Sequence, residues 1–113
     1  MKSNVSQKII CALDTSDFVI AKRISKRLKN SLGAIKIGKE FFTAHGPKGV
    51  KEIRKAGMPI FLDLKFHDIP NTVASAISNA VSLKPTMITI HATGGAKMIK
   101  AAVKANQVAA KKY

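Results

Sequence analysis

The sequence predicts an α/β protein built as half of a (β/α)8 barrel, with about four βα units in 113 residues. Three observations predict it. Short apolar runs of strand length alternate four times with segments of helical periodicity. The connections between them are only a few residues long, which suits parallel strands joined by helical crossovers; right-handed crossovers put all four helices on one side of the sheet. In every strand, the C-terminal position whose parity points away from the helices is polar: Asp14, Lys36, Asp63 with Lys65, and His91. One polar residue in a strand is a local accident. Four at the same rim are what a site at the C-terminal mouth of a TIM-type barrel requires.

The first strand is the apolar run Lys8 to Leu13, ending at Asp14, which shares parity with Ile10 and Ala12. Thr15, Ser16 and Asp17 are N-cap candidates for the helix that follows, where Ile20, Ala21, Ile24 and Leu28 fall at helical spacing between Lys and Arg. Gly33 punctuates its end, and Ala34 to Gly38 forms the second strand, with Lys36 facing opposite to Ile35 and Ile37. Ala-His-Gly-Pro at 44–47 is a break, after which Pro47 opens a helix carrying Val50, Ile53 and Ala56 on one stripe. His45, at the break, reads as an ordinary polar loop residue.

The stretch Ile60 to Thr72 organises the rest. Its first half alternates with period two, so Phe61, Asp63 and Lys65 share one face and Ile60, Leu62 and Leu64 the other. An acid and a base therefore project side by side. Asp68 falls just beyond the strand, and Pro70 opens a third helix with Val73, Ile77, Ala80 and Val81 on its buried side. Lys84-Pro85 is a turn, Met87 to His91 a fourth strand, and after Gly94-Gly95 a fourth helix places Ile99, Ala102 and Val103 inward. A closed barrel of this kind uses eight strands and about 250 residues. Four units leave two open sheet edges and an inner face without its opposite wall, so residues 1–113 read as half of one barrel domain.

A hydrophobic content of 46% supplies a sizeable core. No apolar run approaches the roughly 20 residues of a membrane helix, and Met1 to Gln7 lacks the apolar centre of a signal peptide, so the expectation is a cytoplasmic protein with no membrane association. The lone Cys11 has no partner for a disulfide and lies in the apolar run Ile9 to Leu13, where a buried inert thiol is expected. The net charge of +14 is almost all Lys, spread over several helices, with one Tyr and no Trp to stack on bases. No nucleic-acid partner is expected; the charge reads as solvated Lys-rich faces that favour anionic substrates.

Asp63-Leu64-Lys65-Phe66-His67-Asp68-Ile69-Pro70-Asn71-Thr72 is flanked by Ala12-Leu13-Asp14, Lys36-Ile37-Gly38 and Ile90-His91-Ala92-Thr93-Gly94-Gly95. In this order and spacing the chain resembles the orotidine 5'-phosphate decarboxylase family over essentially its whole length. The resemblance implies the eight-stranded barrel, of which these are units one to four. It implies a substrate, orotidine 5'-phosphate, converted to uridine 5'-phosphate in pyrimidine synthesis without metal or organic cofactor. Carried over residue by residue, Asp14 and Lys36 hold the ribose and Lys36 joins a charged network. Asp63 lies against the substrate carboxylate, and Lys65 donates the proton to the ring carbon that loses carbon dioxide. Asp68 and Thr72 reach the partner's site in a homodimer, and Ile69 joins the substrate-binding set. Lys36, Asp63, Lys65 and Asp68 would interleave their signs.

These residue types suit that chemistry. Decarboxylation leaves a carbanion, so the site must stabilise negative charge developing at carbon and then protonate it; a fixed ammonium does both. Structural roles stand beside the catalytic ones: Asp68 or Asp14 as a helix or turn cap, Lys36 as an ion-pair partner of Asp63, His67 as a hydrogen-bonding support of its loop, and His91 as a structural rim histidine. Two alternatives remain. One is the sugar-phosphate decarboxylase and aldolase branch sharing Asp-x-Lys-x-x-Asp, which typically carries a magnesium-binding Glu where this chain has Lys36. The other is a non-catalytic half-barrel that assembles with itself or with a separately encoded half. The family's phosphate-gripping Arg, pyrimidine contacts and lid lie on units five to eight, so this chain alone is expected to lack efficient activity.

Overall fold

Strand parity decides which face of the sheet is buried, and the computed structural model, which describes residues 5–113, follows it strand by strand. The first four residues of the N-terminal stretch read above lie outside the described residues. Four strands, β1 (Ile10–Ala12), β2 (Ala34–Gly38), β3 (Ile60–Phe66) and β4 (Met87–Ile90), form one parallel sheet in the order β1-β2-β3-β4. They alternate with α1 (Phe18–Arg27), α2 (Lys39–Arg54), α3 (Pro70–Val81) and α4 (Ala96–Ala110). Ile35, Ile37, Ile60, Leu62 and Leu64 join Ala21, Phe41, Val50, Ile53 and Ala80 from the helices in one buried core. A second cluster packs Val73, Ile77 and Val81 of α3 on Met98, Ala102 and Ala109 of α4. The expected βα alternation and one-sided helical cover are therefore observed.

The differences from the expected elements have local causes. β1 is shorter than the run Lys8 to Leu13 because Ser6–Lys8 turn as a 3₁₀ helix; the ladder extends past Ala12 only through Leu13 N–H, which donates to the Lys36 carbonyl at 2.9 Å. Cys11 lies on the helix-facing side of β1 but is only half-buried, because β1 is an edge strand. Asp17 is the N-cap that α1 uses, its carboxylate accepting from Ile20 N–H at 2.9 Å. The buried stripe of α1 is Ala21 and Ser25, whose hydroxyl donates to the Ala21 carbonyl at 2.8 Å, and Ile20 is exposed. Gly33 lies five residues beyond the α1 C-cap at Leu28 and answers a close approach: a Cβ there would sit 2.0 Å from the Gln7 carbonyl oxygen.

The helix after β2 starts earlier than Pro47. Lys39 to His45 is already helical, and the break falls at Gly46, whose φ of 58° and ψ of −159° a glycine adopts without a Cβ clash. Pro47 then restarts the helix, which buries Val50 and Ile53 as expected. Pro70 opens α3 and its buried side is Val73, Ile77, Ala80 and Val81, as the spacing predicts. On α4 the buried stripe is Met98, Ala102 and Ala109, with Ile99 half-buried and Val103 exposed. The stripe is rotated toward Met98 because α4 packs principally on α3.

Candidate active site

β2 and β3 run parallel with Lys36 opposite Phe61 and Gly38 opposite Asp63. Lys36 and Asp63 are thus diagonal neighbours on the face away from the helices, within reach of a long side chain. The Lys36 ammonium donates to Asp63 Oδ2 at 3.1 Å. Two residues along β3 on the same face, the Lys65 ammonium donates to the same oxygen at 2.8 Å. One carboxylate oxygen is therefore clasped by two cations.

The other oxygen is held by a residue that the reading of motifs passed over. Thr89 of β4 donates its hydroxyl to Asp63 Oδ1 at 2.7 Å, and the same Oγ1 accepts Lys65 N–H at 2.9 Å. Pairing between β3 and β4 is regular at Leu62 opposite Ile88 and resumes at Phe66 opposite Ile90, so four steps of β3 span what two steps of β4 span. Within this bulge Lys65 takes a φ of 52°, a left-handed conformation uncommon for a residue with a side chain. The signal available in the sequence was parity: Thr89 shares its face with His91, one of the four polar rim positions.

Asp63 is 6% exposed, and all its charge-bearing atoms are partnered. The Lys65 hydrogen bond, then those from Thr89 and Lys36, hold its carboxyl well below the usual aspartate range, outweighing the upward push of burial. It is a carboxylate at any physiological pH. Lys65 is exposed and Lys36 half-buried, so the ammonium groups face the open side while the acid between them is covered.

The remaining candidates lie at the same rim without joining this cluster. Asp14 is exposed and, among the described residues, has no ion-pair partner or capping hydrogen bond. Asp68 does not interleave with Lys65 in this chain: its carboxylate turns back to accept Ile69 N–H at 2.7 Å. Nor is it the N-cap of α3, a position occupied by Ile69. A cleft of about 210 Å³ nonetheless has Lys39, Lys65, His67, Asp68 and Thr72 in its walls. Ile69 is 66% exposed and Thr72 is exposed. A larger groove of about 450 Å³ follows the free edge of β4 and is lined mainly by apolar side chains, among them Ile77, Val81 and Val103, away from the acid and its two lysines.

The histidines differ from expectation in detail. His67 stacks on His91, ring centroids 5.1 Å apart, and among the described residues its side chain makes no hydrogen bond. His45 is no ordinary loop residue. Its ring packs against both Phe18 and Phe41, and its Nε2 lies 2.6 Å from the Ser16 carbonyl; a carbonyl only accepts, so Nε2 carries the proton. His45 thereby ties the break in α2 to the loop that follows Asp14.

The family model described as "Orotidine 5'-phosphate decarboxylase / HUMPS family" matches residues 7–112. Among curated relatives, the orotidine 5'-phosphate decarboxylase of Ehrlichia canis is 54% identical over 95 residues, which cover 84% of this chain and 42% of the relative. That of Paramagnetospirillum magneticum is 50% identical over 104 residues, covering 91% and 44%. The chain therefore spans less than half the length of the curated relatives it matches. Solved structures share the fold, among them the following two. An uncharacterized conserved protein from Geobacillus kaustophilus superposes with a TM-score of 0.82 at 32% identity, over 88% of this chain and 46% of that one. The orotidine 5'-phosphate decarboxylase of Pyrococcus horikoshii superposes with a TM-score of 0.80 at 24% identity, over 84% and 46%. The four βα units are thus part of a (β/α)8 barrel architecture.

Proposed function

Because the chain belongs to the orotidine 5'-phosphate decarboxylase / HUMPS family, we propose that its charged rim serves, within a complete barrel, to convert orotidine 5'-phosphate to uridine 5'-phosphate. The observation that supports this most is the clasp of the nearly buried Asp63 carboxylate between the Lys36 and Lys65 ammonium groups. The C–C bond to the substrate carboxylate breaks, carbon dioxide leaves, and the electron pair stays on the ring carbon. Lys65 faces that developing charge as a positioned cation and then transfers one proton to the carbon, to be reprotonated from solvent. Asp63, ionised and unable to turn away, lies beside the departing carboxylate and opposes like charge to like. Lys36 balances Asp63 and, with Asp14, binds the ribose. The reaction as this family resemblance implies it runs without metal or organic cofactor.

The sugar-phosphate branch of the family is the second reading. Against it stands Lys36, because an ammonium has no lone pair with which to ligate a magnesium ion. Asp68 and Thr72 are proposed to reach a second copy of the chain, with Ile69 between them in the substrate-binding set: the three are exposed at the rim, and among the described residues Asp68 makes no ion pair, which suits a surface that a partner covers. The complete protein is proposed to be a cytoplasmic homodimer; no helix among the described residues is long and apolar enough to cross a membrane.

The test joins this chain in frame to the remaining C-terminal half of the Ehrlichia canis relative and follows orotidine 5'-phosphate by its ultraviolet absorbance. The expected result is metal-independent turnover by the joined barrel and none at an ordinary enzymatic rate by the 113-residue chain alone. A folded joined barrel that ignores orotidine 5'-phosphate, or that acts on 3-keto-gulonate 6-phosphate only with magnesium, would overturn the proposal.

A further inference from the structure

We propose that Thr89 is a positioning residue of the rim site, whose single hydroxyl fixes both the Asp63 carboxylate and the backbone of Lys65; its bearing on decarboxylation rests on the function proposed above. A hydroxyl has one proton to give and lone pairs to accept with. At Thr89 the proton goes to Asp63 Oδ1 at 2.7 Å and a lone pair takes Lys65 N–H at 2.9 Å. Both bonds converge on one oxygen, so the orientation of the acid and the path of the chain at the base are set by the same atom.

The bulge makes such an atom necessary. Between Leu62 and Phe66 the ladder to β4 is interrupted, and pairing is restored when His91 N–H donates to the Phe66 carbonyl at 3.0 Å. In the interval Lys65 N–H is satisfied by Thr89 Oγ1. The left-handed φ of 52° at Lys65 is sterically unfavourable, and a bond anchored on the neighbouring strand helps to maintain it. On Asp63 the division of labour is equally defined. Both cations sit on Oδ2, and Thr89 on Oδ1 resists rotation of the carboxylate about Cβ–Cγ that would carry Oδ2 out of the clasp. Thr89 need not touch substrate to matter: it acts through the placement of Lys65.

The experiment compares the native chain with Thr89→Val, which keeps the branched shape and strand preference but makes neither bond, and Thr89→Ser, which keeps the hydroxyl. In the native chain, NMR should detect a slowly exchanging Thr89 hydroxyl proton close to Asp63. Amide hydrogen exchange at Lys65 should accelerate by about tenfold or more in Thr89→Val, with Ile60 and Leu62 unchanged, and return close to the native rate in Thr89→Ser. In the joined barrel, kcat should fall about tenfold or more in Thr89→Val with KM little altered, and Thr89→Ser should restore it. Native-like Lys65 exchange in Thr89→Val, a serine variant no better than valine, or absence of the protected hydroxyl proton in the native chain would each overturn the proposal; the last needs no variant to fold. If the exchange result holds while the native joined barrel has no turnover, the decarboxylase reading fails and the positioning role of Thr89 stands.

Discussion

Ile60, Leu62 and Leu64 lie on one face of β3, and Phe61, Asp63 and Lys65 on the other, one residue apart along the same backbone. The first three are 1%, 0% and 9% exposed and end in hydrocarbon against α2 and α3. The second three end in a half-buried ring, a buried carboxylate and an exposed ammonium. On the helix-facing side every residue does what burial favours. On the other, a charge is taken out of water, two cations are brought to one oxygen, and Lys65 bends into a conformation that costs roughly 1–2 kcal/mol. Such arrangements persist where the surroundings over-determine them. Here Lys36, Thr89 and the ladder on either side of the bulge do so.

The contrast is broken most severely from the apolar side. Leu62→Ala should lower the free energy of unfolding by about 2–5 kcal/mol, read by chemical denaturation, because the side chain is wholly enclosed and its neighbours relax only partly into the cavity.

A smaller effect comes from the polar side and depends on pH. The folded-state pKa of Asp63 is depressed below the ordinary aspartate value of 3.8, so its stabilising contribution is complete above that value and is lost as pH falls through it toward the lower folded-state value. Asp63→Asn should therefore be less stable than the native chain by about 1–3 kcal/mol at pH 6, and the gap should narrow steadily as pH is lowered toward 2. A gap that is independent of pH would mean that the carboxylate's charge does not matter to the fold.

The smallest effect is expected away from both faces. Glu52 and Lys55 form an ion pair at 2.6 Å on the solvent side of α2, and the carboxyl of Glu52 is lowered chiefly by its hydrogen bond from Lys55. Glu52→Gln should leave the denaturation midpoint unmoved, because water screens exposed pairs. A measurable loss there would blur the distinction between a covered ion pair and a solvated one.

The apolar face of β3 was legible in the sequence because period-two alternation is a local property; the same rule gave β2 its bounds, and helical spacing, equally local, gave α3 its buried side. The pair Asp63 and Lys65 was legible for that reason too, and Lys36 because parity placed it on the same side. Thr89 was not, since its importance comes from a bulge that changes the register between two strands. No period in either strand encodes that change. His45 was missed for a related reason: its partners Ser16, Phe18 and Phe41 come from other turns and elements, so only the folded chain brings them around the ring. The rotation of the α4 stripe toward Met98 follows from its packing on α3, which helical spacing alone does not determine.

The most direct measurement is to compare Lys65→Ala with Leu62→Ala in the barrel completed by the relative's C-terminal half, recording turnover of orotidine 5'-phosphate per folded molecule. Lys65→Ala should lose at least about a hundredfold in kcat while remaining folded, since it removes the proton donor from the rim. Leu62→Ala should be markedly less stable, yet its folded fraction should turn over substrate at close to the native rate. A Lys65→Ala barrel that keeps its turnover, or a folded Leu62→Ala barrel that loses as much, would contradict the assignment of core to one face of β3 and chemistry to the other.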